Sequence, residues 1–144
     1  MKNKDIQKLF SEGERVTLEC KKAQRNVPGS LWDTYSAFAN TYGGTILLGV
    51  VEHMEEQDKA KRFEITGVED ADKIRKDLWN TVNSKEKINV NILRDEDIQT
   101  VDIDGKDIIV INVPRAESTV RPVYINNNLS KGAFKRNHEG DYHC

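Results

Sequence analysis

Between Leu31 and Glu52 the spacing of apolar residues changes period once, and that change predicts a helix followed at once by a strand. Leu31, Tyr35, Phe38 and Tyr42 recur at intervals of four, three and four, the stripe of a helix that packs on a sheet. Ser30 is placed to cap its start, Gly43 falls where a helix stops in the left-handed region, and Gly44 lets the chain reverse. Thr45 to Val51 is then apolar at both parities, which predicts a central strand buried on both faces. Glu52 is its first charge.

Upstream, Ile6, Leu9 and Phe10 form one face of a short helix that Gly13 breaks. Arg15 to Lys21 alternates, with Val16, Leu18 and Cys20 on one side, as a half-buried strand does. Val27-Pro28-Gly29 is a turn. Downstream, His53 to Lys61 reads as a charged loop and Arg62 to Val68 as a short strand ending at Gly67. Ala71, Ile74, Leu78 and Val82 mark a second helix, with Asp70 and Asp72 at the positive end of its dipole. Ile88 to Leu93 and Ile98 to Ile103 alternate as strands, and Asp104-Gly105 predicts a tight hairpin into Ile108 to Val113, stopped by Pro114. Two closing strands, Pro122 to Ile125 and Ala133 to Arg136, flank a loop containing Asn126, Asn127 and Asn128. Two main helices among about seven or eight strands, joined more by hairpins than by crossovers, predict an α+β fold with a mixed, mainly antiparallel sheet.

A chain of 144 residues with 37% hydrophobic content suits one domain spanning 1–144. Its net charge of −2 imposes no polyanionic partner. The charge is unevenly spread, however: residues 2–25 and 115–138 are rich in Lys and Arg, whereas 51–107 is acidic. If the two basic ends meet in the fold they make a positive surface; if not, each is a solvated stretch. Two cysteines, Cys20 and Cys144, supply no disulfide framework and suit a reducing compartment, hence a cytoplasmic location. The opening MKNKDIQKLF is too polar for a signal peptide, and no run has the length of a membrane span. The abrupt closing HEGDYHC is read as the edge of an N-terminal fragment from a longer protein.

Residues two apart on a strand share a face, so Glu19 and Lys21 project together, as a carboxylate ligand and a lysine do in many metal-dependent nucleases. In a chain this charged, the same pair is also an ordinary solvated strand face. Glu52 joins them if the sheet brings the end of the central strand beside Glu19. Glu14 is out of phase with Glu19 unless the strand starts after it. Three carboxylates with a lysine can hold one or two Mg²⁺ or Mn²⁺ ions, which prefer oxygen ligands. Contacts to DNA or RNA phosphates rest on Lys21, Lys22, Arg25, Arg115, Arg121, Lys131, Lys135 and Arg136. Phe134 is either a stacking ring or core, and its parity with Arg136, opposite to Lys135, favours core. ATP finds no G-x4-G-K-[ST] or G-x-G-x-x-G cradle here, and Gly43-Gly44 ends a helix where carbonyls project. His138, His143, Cys20 and Cys144 lack the compact spacing of a zinc site. Trp32 and Trp79 fit helix burial.

Glu14-x4-Glu19-Cys20-Lys21, Ser36-Ala-Phe-Ala-Asn40, Gly43-Gly44, Leu48-Gly-Val50, Gly67-Val68 and Pro122-Val-Tyr-Ile125 together resemble the Schlafen AlbA-like domain, from about Ser11 to the end. In bacteria this domain commonly opens longer proteins described as transcriptional regulators or ATP-binding proteins. Animal Schlafens that cleave transfer and ribosomal RNA carry a three-carboxylate site in the corresponding domain. Matched motif to motif, its glutamates fall on Glu14 and Glu19 and its aspartate on Glu52. Cys20 replaces a usual aromatic, and Glu52 is one methylene longer than the aspartate. The resemblance implies a nucleic-acid-binding, DNA-directed domain of a transcriptional regulator; a divalent-metal endoribonuclease is the alternative, and a protein-interaction or oligomerisation module with sheet edges paired between subunits the third.

Overall fold

A computed structural model describes residues 3–12 and 16–144. Gly13, Glu14 and Arg15, on which a helix stop, a candidate ligand and a strand start were expected, lie outside the described residues. The elements run α1 (Asn3–Glu12), β1 (Leu18–Lys21), α2 (Ser30–Asn40), β2 (Gly44–Leu48), β3 (Val50–Glu52), α3 (Lys59–Arg62) and β4 (Phe63–Ile65). Then follow α4 (Ala71–Val82), β5 (Ile98–Ile103), β6 (Lys106–Val113), α5 (Leu129–Gly132), β7 (Phe134–Asn137) and β8 (Gly140–His143).

The main sheet has the order β1-β2-β6-β5, with β1 parallel to β2 and the other pairs antiparallel. The fold is α+β and its pairing mostly antiparallel, as the sequence pattern implies. Because side chains alternate across a strand, β2 serves two cores. Ile46 and Leu48 pack with Leu31, Tyr35 and Phe38 of α2 and with Ile74 and Leu78 of α4. Leu47 faces Ile6 and Phe10 of α1 and Phe63 of β4. The Phe10 and Phe63 rings stack with centroids 4.5 Å apart. Burial on both faces explains why β2 carries no polar residue after Thr45.

The glycine stop of α2 is real. Gly43 sits at φ +73°, and its amide donates to the Phe38 carbonyl at 2.7 Å. A Cβ there would stand 2.8 Å from the Val113 carbonyl oxygen, so both backbone angle and space demand glycine. Asp70 caps α4 by accepting from the Lys73 amide, and Asp104 and Gly105 take the paired positive φ values of a two-residue hairpin.

Several expectations need correction. The apolar run 45–51 is two strands, because Gly49 at φ +92° redirects the chain and β3 leaves the main sheet to pair with β4. Tyr42 lies past the end of α2 and is 69% exposed, outside the apolar stripe. Ser30 is the first helical residue, and the cap position falls on Gly29 without a side-chain bond. Residues 88–93 make only the Ile88–Ile125 bridge. Past that bridge the backbone groups are taken by side chains, the Ile92 amide by the Tyr35 hydroxyl and the Leu93 amide by Asn91. Residues 122–125 likewise form isolated bridges, and β7 pairs with β8, a strand inside the closing segment. The charged loop 53–61 ends in α3, a single helical turn.

Candidate nucleic-acid interface

The two basic ends of the sequence do meet, through Arg136. Phe134 and Arg136 occupy inward positions of β7 while Lys135 and Asn137 face out. This sends the Arg136 side chain, 2% exposed, down onto β1. Its Nη1 lies 2.8 Å from Glu19 Oε2 and 2.8 Å from Asp141 Oδ1. Nη2 donates to the Leu18 carbonyl at 3.0 Å, and the guanidinium carbon sits 5.0 Å from the Phe38 ring centroid. Asp141 also accepts from the Thr34 hydroxyl at 2.6 Å. Arg136 is therefore no surface cation: it was expected to meet phosphate and instead fastens the β7–β8 hairpin to β1 and α2. Its inward parity with Phe134 was the signal. Phe134 is buried, as that parity implies.

Glu19 commits one oxygen to this bond, yet also lines a depression of about 430 Å³ with Cys20, Lys22, Val51, Glu52 and Met54. Glu52 Oε2 is buried there without a hydrogen-bond partner. Burial first, then the nearby Glu52 and Glu19 charges, push the Cys20 thiol far above its ordinary range. Lys21 turns away and donates to Ser30 Oγ at 3.1 Å. On that side Asp33 is held above the usual carboxylate range by burial and by Asp141, with Lys21 and His143 acting oppositely. Among the described residues no three acidic, histidine or cysteine side chains converge as a cation cage. With Glu19 committed to Arg136, the described residues alone do not fit a divalent metal, and Glu14 lies outside them.

The remaining cations separate into groups. Arg25 pairs with Glu69 at 3.1 Å, and Lys22 sits at the Glu19–Glu52 depression. Arg115 shares a cleft with Arg94, Asp97 and Glu117, where acids offset it. Lys131 is exposed on α5, whose N-cap is Asn128, and Asn126 and Asn127 adopt the positive φ of turn formers. Arg121 and Lys135 come together around a depression of about 270 Å³ lined also by Asn40, Ser118, Pro122 and Cys144. Arg121 Nε is buried there with no partner of its own. Two residues escaped the sequence reading. Asp141 completes the clamp on Arg136, and Tyr142, opposite Lys135 in the hairpin, is exposed. Their roles depend on a register that no local pattern displays. Among the described residues no helix is long and apolar enough to cross a membrane.

A four-stranded mixed sheet with helices on both faces and a clamped C-terminal hairpin defines a small α+β domain class, and the sequence says which one. The chain belongs to the family described as Schlafen, AlbA_2, which matches residues 14–144. The N-terminal domain of a protein from Nitrosomonas europaea, described as related to the ATP-dependent DNA helicase RecG, has a similar structure with a TM-score of 0.66 and 27% identity. That similarity covers 96% of this chain and 90% of the other. The DIP2311 protein from Corynebacterium diphtheriae shares the fold at a TM-score of 0.59 and 19% identity, over 98% of this chain but 29% of its own. No curated protein matches the sequence.

Proposed function

We propose that this chain is a nucleic-acid-binding domain, with DNA as its ligand and transcriptional regulation as its setting. The observation that carries this reading is the Arg121–Lys135 depression. Arg121 and Lys135 are brought to the border of one depression, and among the described residues no acidic side chain lines it to offset their charge. Cations so placed gain affinity for a phosphate backbone by releasing its counterions. The description of the Nitrosomonas relative as related to a DNA helicase supports the same ligand class.

Binding to duplex DNA is expected to weaken steeply with salt. Replacing Arg121 and Lys135 together by alanine should reduce the slope of log affinity against log salt by roughly 2, about one for each phosphate no longer neutralised. Affinity that ignores salt, or an unchanged slope in the double variant, would remove this reading.

A second reading, a metal-dependent endoribonuclease, is favoured by one observation: Glu19 and Glu52 share a depression in which Glu52 keeps an unpaired buried oxygen. It requires cleavage of transfer RNA in the presence of Mn²⁺ that Glu19→Gln abolishes. Intact RNA after prolonged incubation sinks it.

A further inference from the structure

The outer face of the C-terminal hairpin carries a side chain that phosphate contacts do not explain. β7 and β8 pair with Lys135 directly opposite Tyr142. Opposed residues of an antiparallel pair hold their Cβ atoms about 5 Å apart on one face. The inward parity is already occupied, by Phe134 against the His143 ring and by Arg136 in its ion pairs. Tyr142 therefore points away from the core and is 46% exposed. Asp141, the acid next to it, is turned inward onto Thr34 and Arg136, so its charge is engaged on the other side of the hairpin. Lys135 in turn borders the depression that holds Arg121 and Ser118. Lys135 thus stands between an exposed aromatic ring and a depression that holds a second cation and a hydroxyl.

A duplex can take the hydroxyl of such a residue on a phosphate, but not the face of the ring. Its base faces are closed by their neighbours in the stack, and only groove edges and phosphates meet a protein. An unpaired base has a free π-face, and aromatic rings beside cationic side chains are how proteins hold single strands without reading sequence. We infer that this face binds single-stranded nucleic acid, Tyr142 stacking on an unpaired base while Lys135 and Arg121 hold the adjoining phosphates. The inference rests on the nucleic-acid reading above and narrows it to one strand state.

The test is fluorescence anisotropy of the full chain with a short labelled single-stranded oligonucleotide and with the duplex of the same sequence. The single strand should bind about tenfold more tightly than the duplex. Tyr142→Ala should weaken single-strand binding by about tenfold and leave its salt slope and the duplex affinity unchanged, whereas Tyr142→Phe should keep the original affinity. Lys135→Ala should flatten the salt dependence for both probes. Equal affinity for the two probes, or single-strand binding that survives Tyr142→Ala, overturns the single-strand inference while the nucleic-acid reading stands. Absence of salt-dependent binding to either probe, as for a surface that serves a protein partner, overturns both. Tyr142 lies outside both cores, and matching circular dichroism of the variants would show that each folds.

Discussion

Replacing Arg136 by alanine is expected to destabilise the fold by about 3–5 kcal/mol, the range for removing one partner of a buried ion pair. The guanidinium is nearly inaccessible, and among the described residues Glu19, Asp141 and the Leu18 carbonyl converge on it. Truncation leaves two carboxylates facing each other with no cation between them. Their exposure, 27% for Glu19 and 18% for Asp141, lets water recover part of the loss, which places the expectation toward the lower end of the range. The measurement is urea unfolding, in which the midpoint should fall while the slope stays constant. Arg136→Lys should be intermediate, because an ammonium keeps the charge but cannot present a planar fork to acceptors in different directions. A loss below about 1 kcal/mol for the alanine variant would mean that the clamp holds nothing the core does not already hold.

Asn40→Ala is the second large effect, with an expected cost of about 2–4 kcal/mol. Asn40 Nδ2 donates to the carbonyls of Val123 at 2.9 Å and Phe134 at 3.0 Å, and its Oδ1 accepts from the Val123 amide at 2.7 Å. Beside it, Ser36 Oγ donates to the Val123 carbonyl at 2.7 Å and accepts from the Phe134 amide at 3.0 Å. These two side chains satisfy the backbone groups of Val123, which no strand pairs, and the groups of Phe134 that point away from β8. Alanine would strand the Val123 amide and the Phe134 carbonyl in the interior, each orphan costing about 1–3 kcal/mol. Thermal unfolding should shift down by roughly 10 °C for a domain of this size. A variant melting within a degree or two of the parent would show that water fills the gap. The consequence reaches the surface as well, since Asn40 lines the Arg121–Lys135 depression and positions Val123, two residues from Arg121.

Helix α2 with its glycine stop, helix α4 behind acidic Asp70 and Asp72, and the β5–β6 hairpin were legible in the sequence because short-range rules decide them: periodicity, the helix dipole and turns that need positive φ. The split at Gly49 was hidden because Val50 and Val51 prolong the apolar run of β2, which gives no sign that the chain changes sheets. Residues 88–93 alternate like a strand, but Asn89 and Asn91 offer the backbone a competing set of bonds. The site was harder for a different reason. Charge marked Arg136 as a surface residue although its parity with Phe134 turned it inward, and nothing local shows that Asp141 waits for it. That Glu19 and Glu52 share a depression depends on β1 lying parallel beside β2, a contact between distant segments.

Gly49 is where that geometry is set. Its amide donates to the Lys21 carbonyl at 2.9 Å, at the end of β1. Its own carbonyl accepts from the amides of Thr66 and Gly67, both at 2.9 Å. A Cβ on Gly49 would stand 2.9 Å from the carbonyl carbon of Gly67, so the two main chains touch with no side chain between them. The separation of the two carboxylates is thus held by a seam of bare backbone, and neither glycine lines the depression itself. A single methyl on Gly49 would meet the Gly67 backbone and strain the junction of β1, β2 and β3.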